Sequence, residues 1–276
     1  MELFKEYDED ELNHLKKVEL MILEDVIIFC NENNIRYYVF FGTAIGAVRH
    51  GGFIPWDDDI DIVMFREDYE KFLKLFSTKC SEKYEILSMN TTEDYVVSFA
   101  KISLKGTRMD YWWADTASFV QGIQIEIFPL DYVSKNSFKR KLYYYACTLF
   151  LHLQLNSNSL IKSESKFKQF IHSSLYHFSK FFKLNNFYRK KYYEILTMYN
   201  KRENKFVVDS SFQYGNLVFE TEDFEPSETI KFENLQVKIP KNYDKILTQI
   251  YGDYMKLPPK NQRVNHAPIN LDFGEY

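Results

Sequence analysis

The sequence predicts an α/β (α+β) fold, a small mixed sheet flanked by helices with a basic helical insertion. Three observations carry this. Between residues 8 and 33 apolar side chains recur at three- and four-residue steps, the period of a half-buried helix. Short aromatic and β-branched runs bounded by turn signals follow, the pattern of strands. From 134 to 204 the composition turns basic and the spacing turns helical again.

In chain order, Leu15, Val18, Ile22, Val26 and Phe29 share one face of the first helix. Asp8 or Asp10 can cap it, and Asn31 to Asn34 ends it. It reads as a scaffold helix with His14 on its surface. Tyr37 to Phe41 reads as a strand ending at Gly42-Thr43. Gly42 lets the backbone approach closely or take a positive φ, and the Thr43 hydroxyl is placed to cap a short helix, Ala44 to Arg49. The free N–H groups at such a helix start favour an anion. Arg49 and His50 follow directly.

The next run, Asp57-Asp58-Asp59-Ile60-Asp61-Ile62-Val63-Met64, reads as another strand. Alternation would put Asp57, Asp59 and Asp61 on one face, neighbours roughly 7 Å apart, with Asp58 on the other. Such a cluster repels itself unless a hard cation lies among it, and oxygen-only ligands suit Mg²⁺, Ca²⁺ or Mn²⁺. An isolated acidic triplet is usually a solvated loop. This one runs straight into an apolar strand behind a Gly-Thr turn, which favours a combined phosphate and metal site. Trp56, just before it, reads as a packing residue ahead of a base-stacking one.

Arg66 to Phe76 reads as a helix with Tyr69, Phe72, Leu73 and Phe76 on one face. Tyr84 to Leu87 and Tyr95 to Leu104 read as strands. Lys101 lies in the second and Arg108 just after it, and either cation can hold a phosphate. Phe119 to Phe128 alternates, with Glu126 in its middle. A buried carboxylate needs a partner, either a metal or a salt bridge to Lys101 or Arg108.

Together these residues resemble a known family. The stretch FGTAIGAVRHGGFIPWDDDIDIVMFREDYEKF is similar to the LicD family, which includes phosphocholine transferases of bacterial surface glycans and is related to the fukutin-type transferases. Its Gly-Thr turn and alternating aspartates are the arrangement of polymerase-β-type nucleotidyltransferases. GIQIEIFPLD, residues 122–131, resembles the family's second acidic strand. YGDYMKLPP, residues 251–259, with Arg263 and His266, resembles its C-terminal signature. The resemblance implies a nucleotidyltransferase-like fold with Mg²⁺ (or Mn²⁺) on Asp59 and Asp61, assisted by Asp57 and completed by Glu126. It implies substrate contacts from Gly42, Thr43, Arg49, His50, Lys101, Arg108, Arg263 and His266. Relatives usually carry Asp where this chain has Glu126, which alters the metal geometry rather than the role. The implied reaction moves phosphocholine from CDP-choline to a sugar hydroxyl of a cell-surface glycan (teichoic acid, capsule or lipopolysaccharide) or its lipid-linked precursor, releasing CMP. CDP-ribitol, CDP-glycerol or an NTP as donor, or a non-catalytic scaffold, are the alternatives. Abundant aromatics are compatible with a cage for a quaternary ammonium.

The resemblance reaches almost to both ends of the chain, so 1–276 reads as one LicD-type domain. Its parts are a catalytic core (1–133), a basic helical insertion (134–204) and a C-terminal unit completing the site (205–276). From Lys135 to Lys191 there are twelve Lys and Arg against one acid, Glu164. Two or three basic amphipathic helices here suit an anionic membrane surface or a polyanionic acceptor; an ordinary helical subdomain is the plainer alternative. Leu142 to Leu155 is too short to span a bilayer, and His152, His172 and His177 show no zinc spacing. A hairpin follows, Thr229 to Phe232 and Leu235 to Ile239, turned at Glu233-Asn234. Tyr243 to Tyr251 then reads as a helix ended by Gly252.

Composition sets the outer bounds. The 276 residues are 45% hydrophobic and carry a net charge of −4, which supports a sizeable core and does not point to nucleic acid. Cys30, Cys80 and Cys147 form neither a metal spacing nor a disulfide framework. The acidic N-terminus lacks the apolar centre of a signal peptide. The expected location is cytoplasmic, with peripheral contact at the inner face of the plasma membrane through 135–191.

Overall fold

The computed structural model describes residues 7–92, 95–111, 119–158, 165–201, 205–212, 215, 217–263 and 265–276. Glu164 and residues 1–6, used above, lie outside the described residues.

Helix α1 (Glu9–Glu32) is capped by Asp8, whose carboxylate accepts the Glu11 N–H at 2.7 Å. All five apolar positions read from its periodicity are buried, and so is Glu19. Among the described residues eleven strands follow: β1 (Tyr38–Val39), β2 (Asp61–Phe65), β3 (Tyr84–Leu87), β4 (Ala100–Leu104), β5 (Arg108–Asp110), β6 (Gln124–Val133), β7 (Phe206–Asp209), β8 (Phe219–Glu220), β9 (Glu228–Phe232), β10 (Leu235–Ile239) and β11 (Asn270–Asp272). The central sheet runs β1-β2-β6-β4-β3, and β7 and β8 extend it from the far half of β6. Among the described residues only β2 and β6 are parallel within it. A parallel pair needs a long crossover, and the chain supplies one through α3 (Arg66–Lys79) and the strands after it.

That pair sets the register on which the site depends. Asp61 lies beside Glu126 across the parallel ladder, and Lys101 lies beside Glu126 across the antiparallel one. The Glu126 N–H donates to the Ile60 carbonyl at 2.9 Å. Three acidic or basic side chains on three adjacent strands are thus held at one level.

Several expected strands are shorter or shifted. The first is only Tyr38–Val39, and α2 (Phe41–His50) starts earlier than expected. The acidic strand begins at Asp61, so residues 57–60 precede it rather than belonging to it. The strand expected from Tyr95 begins at Ala100. The one expected from Phe119 begins at Gln124 and runs on to Val133. At Gly122 and Ile123 the reason is visible: their N–H groups donate to the Ser103 and Thr107 hydroxyls at 2.8 and 2.9 Å instead of to a neighbouring strand.

Across β6 from the site, Arg66 and Asp131 form a buried two-toothed pair, Nε to Oδ1 at 2.8 Å and Nη2 to Oδ2 at 2.6 Å. Asn200 and Ser210 also donate to the Asp131 carboxylate. The last residue of GIQIEIFPLD therefore ties α3, β6 and the segment after β7 together.

The insertion forms three helices, α4 (Ser137–Asn158), α5 (Lys166–Phe181) and α6 (Asn185–Leu196). Tyr143, Cys147, Tyr192 and Leu196 bury one side of α4 and α6. The hairpin β9–β10 pairs Leu235 with Phe232 across the expected turn. Helix α7 (Tyr243–Tyr251) ends at Gly252, whose φ of +70° suits a residue without Cβ. Among the described residues no helix is long and apolar enough to cross a membrane.

Candidate active site

The site is built on the β2–β6 register. Asp61 is buried and Asp59 half-buried, and desolvation pushes both carboxyls well above the usual carboxylate range, with Asp57 and Glu126 adding to the push on each and Asp59 to that on Asp61. Burial, then Asp58, raises Asp57 to about 6. Asp57, Asp59, Asp61 and Glu126 are therefore near enough to feel one another's charge. The expected split onto two faces does not hold, because residues 57–60 precede the strand and Asp58 lines the same cavity as Asp59; Asp58 Oδ2 also accepts the His266 N–H at 2.8 Å. The salt-bridge alternative for Glu126 is present as well, because Lys101 Nζ lies 3.1 Å from its Oε1.

The Gly-Thr turn works differently from the expectation. Thr43 lies inside α2, not at its cap, and the residue before α2 makes no side-chain cap bond. The buried Thr43 hydroxyl instead accepts the Asp61 N–H at 2.8 Å. That bond fixes the N–H of an acid whose carbonyl accepts the Phe40 N–H at 3.0 Å. The positive φ falls on Phe41, at +44°, not on Gly42. For a bulky residue this conformation costs about 1–3 kcal/mol, and the Phe41 ring is wedged against Phe40 and Phe128. Gly42 serves close approach: a Cβ there would lie 2.8 Å from Asp57 Oδ2.

The basic residues divide into two groups. Arg49 Nη1 donates to the Tyr254 carbonyl at 2.5 Å, and Arg49 feels both Asp57 and Arg263. The Arg263 guanidinium lies 4.7 Å above the Trp56 ring, so Trp56 packs under a cation. The tail thus meets the acidic segment at two points, through Arg49 and through His266. The Asp58 carboxylate facing His266 raises that imidazole's affinity for a proton. By contrast, Arg108 is exposed and pairs with Asp110 at 2.6 Å. His50, exposed at the end of α2, accepts the Arg49 Nε–H. The structure brings neither Arg108 nor His50 to the cavity described next.

A cavity of about 170 Å³ opens beside the carboxylates. Its polar lining is Glu19, Asp58, Asp59, Lys101, Gln124, Glu126 and His266, and Met109 and Tyr111 complete it. Glu19 is 1% exposed, and its Oε2 has no hydrogen-bond partner among the described residues. Burial, with Asp59 and Asp58 adding to it, holds the Glu19 carboxyl well above its usual range. Sequence reasoning missed this residue. The signal was available, since Glu19 falls on the Leu15, Ile22 and Val26 face. Lys16, also missed, donates to the Ile54 and Pro55 carbonyls at 3.1 and 2.9 Å and holds the approach to Asp57.

The donor chemistry fits a hard divalent cation: oxygen ligands only, with burial and like charge both opposing ionisation of Asp59 and Asp61. Neither aspartate makes an ion pair among the described residues, where Lys101 engages Glu126 alone. No three His, Cys, Asp or Glu side chains among the described residues are already gathered into a ligand cage.

Aspartates leading into one strand, a glutamate beside them on a parallel neighbour, and a glycine-threonine helix start behind them define a nucleotidyltransferase-like phosphoryl-transfer site. The profile of the LicD/FKTN/FKRP nucleotidyltransferase domain matches residues 34–148. The lipopolysaccharide cholinephosphotransferase LicD of Haemophilus influenzae is 30% identical over 270 residues, 92% of this chain and 95% of that protein. The chain belongs to the LicD family. The ribitol 5-phosphate transferase FKRP of human and mouse is 47% identical over a shorter span of 34 residues, 12% of this chain and 7% of theirs.

Proposed function

We propose that the chain is a phosphotransferase that moves phosphocholine from CDP-choline to a sugar hydroxyl of a cell-surface glycan or its precursor, with CMP leaving. The full-length similarity to the Haemophilus influenzae cholinephosphotransferase supports the reaction. The Asp61–Glu126 register, with Asp59 coupled to both, is the observation that carries the mechanism.

Asp59 and Asp61, with Asp57 and Glu126 beside them, would hold Mg²⁺ or Mn²⁺, which neutralises charge on the diphosphate and on the leaving CMP. The N–H groups at the start of α2 favour the phosphate oxygens. Arg49, Arg263 and Lys101 add positive charge at the rim and floor. Phosphoryl transfer needs positioning and charge neutralisation more than a covalent nucleophile. The acceptor oxygen forms its bond to the phosphocholine phosphorus as the bond to the CMP oxygen breaks. The hydroxyl proton passes to Glu126, whose Oε1 lies 3.1 Å from Lys101 Nζ.

The relation to FKRP makes CDP-ribitol the second donor to test. The acceptor side of this reading is a membrane. Phe167, Phe170 and Phe181 of α5 are 70–79% exposed, with Lys168, Lys180 and Lys183 beside them. Exposed aromatics interleaved with cations suit an anionic lipid surface. The three free cysteines fit a reducing cytoplasm.

The test is CMP release from CDP-choline in the presence of glycan acceptor. Asp61→Asn should lose at least about a hundredfold in rate with an unchanged melting profile. An unchanged rate would remove the metal assignment.

A further inference from the structure

We propose that the cavity beside the carboxylates seats the ammonium group of the donor alcohol, with Glu19 as its counter-ion. The inference rests on the phosphotransferase reading for the donor's identity but on its own observations for the site.

The cavity's lining is the first. Met109 and Tyr111 present apolar and aromatic surface, and Glu19, Asp58, Asp59 and Glu126 present four carboxylates against one lysine, Lys101, which is paired with Glu126 and lies over one face of Tyr111. A methylated ammonium asks for that combination: diffuse negative charge, π-faces and apolar contact. The second is the unpartnered carboxylate. Glu19 is 1% exposed, makes no ion pair among the described residues, and its Oε2 accepts no hydrogen bond. A buried acid left in that state is costly unless its charge is neutralised. A quaternary ammonium has no N–H to donate. It can balance Glu19 while leaving the hydrogen bond unmade. Asp58 is half engaged in the same way, since its Oδ1 lies 3.7 Å from His266 Nδ1 while its Oδ2 holds the tail.

Size and position agree. A cavity of about 150 Å³ accepts one benzene-sized molecule in other proteins, so 170 Å³ takes one small headgroup. Asp59 and Glu126 belong both to the cavity wall and to the carboxylate cluster. A phosphate held at that cluster would place the alcohol attached to it at the cavity mouth. Polyol headgroups would bring hydroxyls that bond to Glu19 but would not balance its charge.

The experiment compares wild type and Glu19→Gln by calorimetry, titrating CDP-choline, CDP-ribitol and CMP with Mg²⁺ present, and choline chloride alone. Glutamine keeps the shape and an acceptor oxygen while removing the charge. The expected result is that Glu19→Gln weakens CDP-choline and free choline by about tenfold or more, with CMP and CDP-ribitol changed less than about twofold. Tyr111→Leu should weaken the same two ligands and no others. Equal weakening of CMP and CDP-choline, or a raised Mg²⁺ requirement, would mean that Glu19 serves a metal and would overturn the proposal. Unchanged CDP-choline affinity would overturn it too, with the phosphotransferase reading intact. If wild type binds neither CDP-choline nor CMP, that reading falls, and the free-choline titration still decides the cavity: binding lost in Glu19→Gln supports the site, no binding to wild type ends it.

Discussion

Thr43 accepts the Asp61 N–H from inside α2, so Thr43→Val removes the side-chain acceptor of a buried backbone donor. The cost should be about 1–3 kcal/mol, read as a lowered melting temperature, together with a loss of rate because Asp61 is freed to shift. Asp57 makes a second prediction at this scale. Its carboxyl titrates at about 6 in the folded protein, against about 3.9 for an unfolded aspartate. The folded state therefore binds that proton more tightly, and the ionised group destabilises the fold. With metal chelated, stability should fall as pH rises from about 4 to about 6. With Mg²⁺ added the fall should flatten, since the cation favours the ionised form. Parallel melting curves in EDTA and in Mg²⁺ check this; identical slopes would argue against a metal at Asp57. The Gly-Thr signal was legible in the sequence while its working was not. A glycine serves either a positive φ or a close approach, and only packing tells which: here Phe41 takes the φ and Gly42 makes room for Asp57.

Among the elements, β6 joins the chemistry to the scaffold. Glu126 near its start faces the site, while Asp131 near its end clamps Arg66. Removing one partner of a buried pair leaves an uncompensated charge, so Arg66→Ala should cost about 3–5 kcal/mol, seen by denaturant unfolding. α1 was legible to within a residue because its apolar period is long and capped. β2 and β6 were harder. Where a strand begins depends on which neighbour takes its N–H groups, and at Gly122 and Ile123 these are hydroxyls of Ser103 and Thr107. Helices α4 and α5 carry the membrane prediction. The full chain should float with phosphatidylcholine vesicles containing phosphatidylglycerol, release in high salt, and ignore neutral vesicles. Replacing Phe167, Phe170 and Phe181 by serine should abolish flotation without changing stability, because all three are exposed. Flotation unaffected by these changes would detach the apolar face from lipid.

Across the whole molecule, the residues that meet at the site come from five separate stretches: Glu19, Gly42 to Asp61, Lys101 to Tyr111, Glu126, and Arg263 to His266. Two of these, Gly42 to Asp61 and Glu126, were legible as motifs, because acids and glycines in apolar runs stand out; the tail was legible only through the family resemblance. Lys101 could be suspected but not paired until the β4–β6 register placed it beside Glu126. Glu19 was hidden by a helix that looked like plain scaffold. The tail's attachment to the acidic segment, through Tyr254 and His266, joins residues about two hundred positions apart, which no local pattern encodes.

The most direct measurement of the central claim is calorimetric titration of CDP-choline into the full chain with Mg²⁺ and with EDTA, beside CDP-ribitol and CDP-glycerol, using Asp61→Asn as the control. The account predicts Mg²⁺-dependent binding that favours CDP-choline and is lost in Asp61→Asn. Binding that persists in EDTA and in Asp61→Asn, or no binding of any CDP-alcohol with Mg²⁺ present, would contradict it.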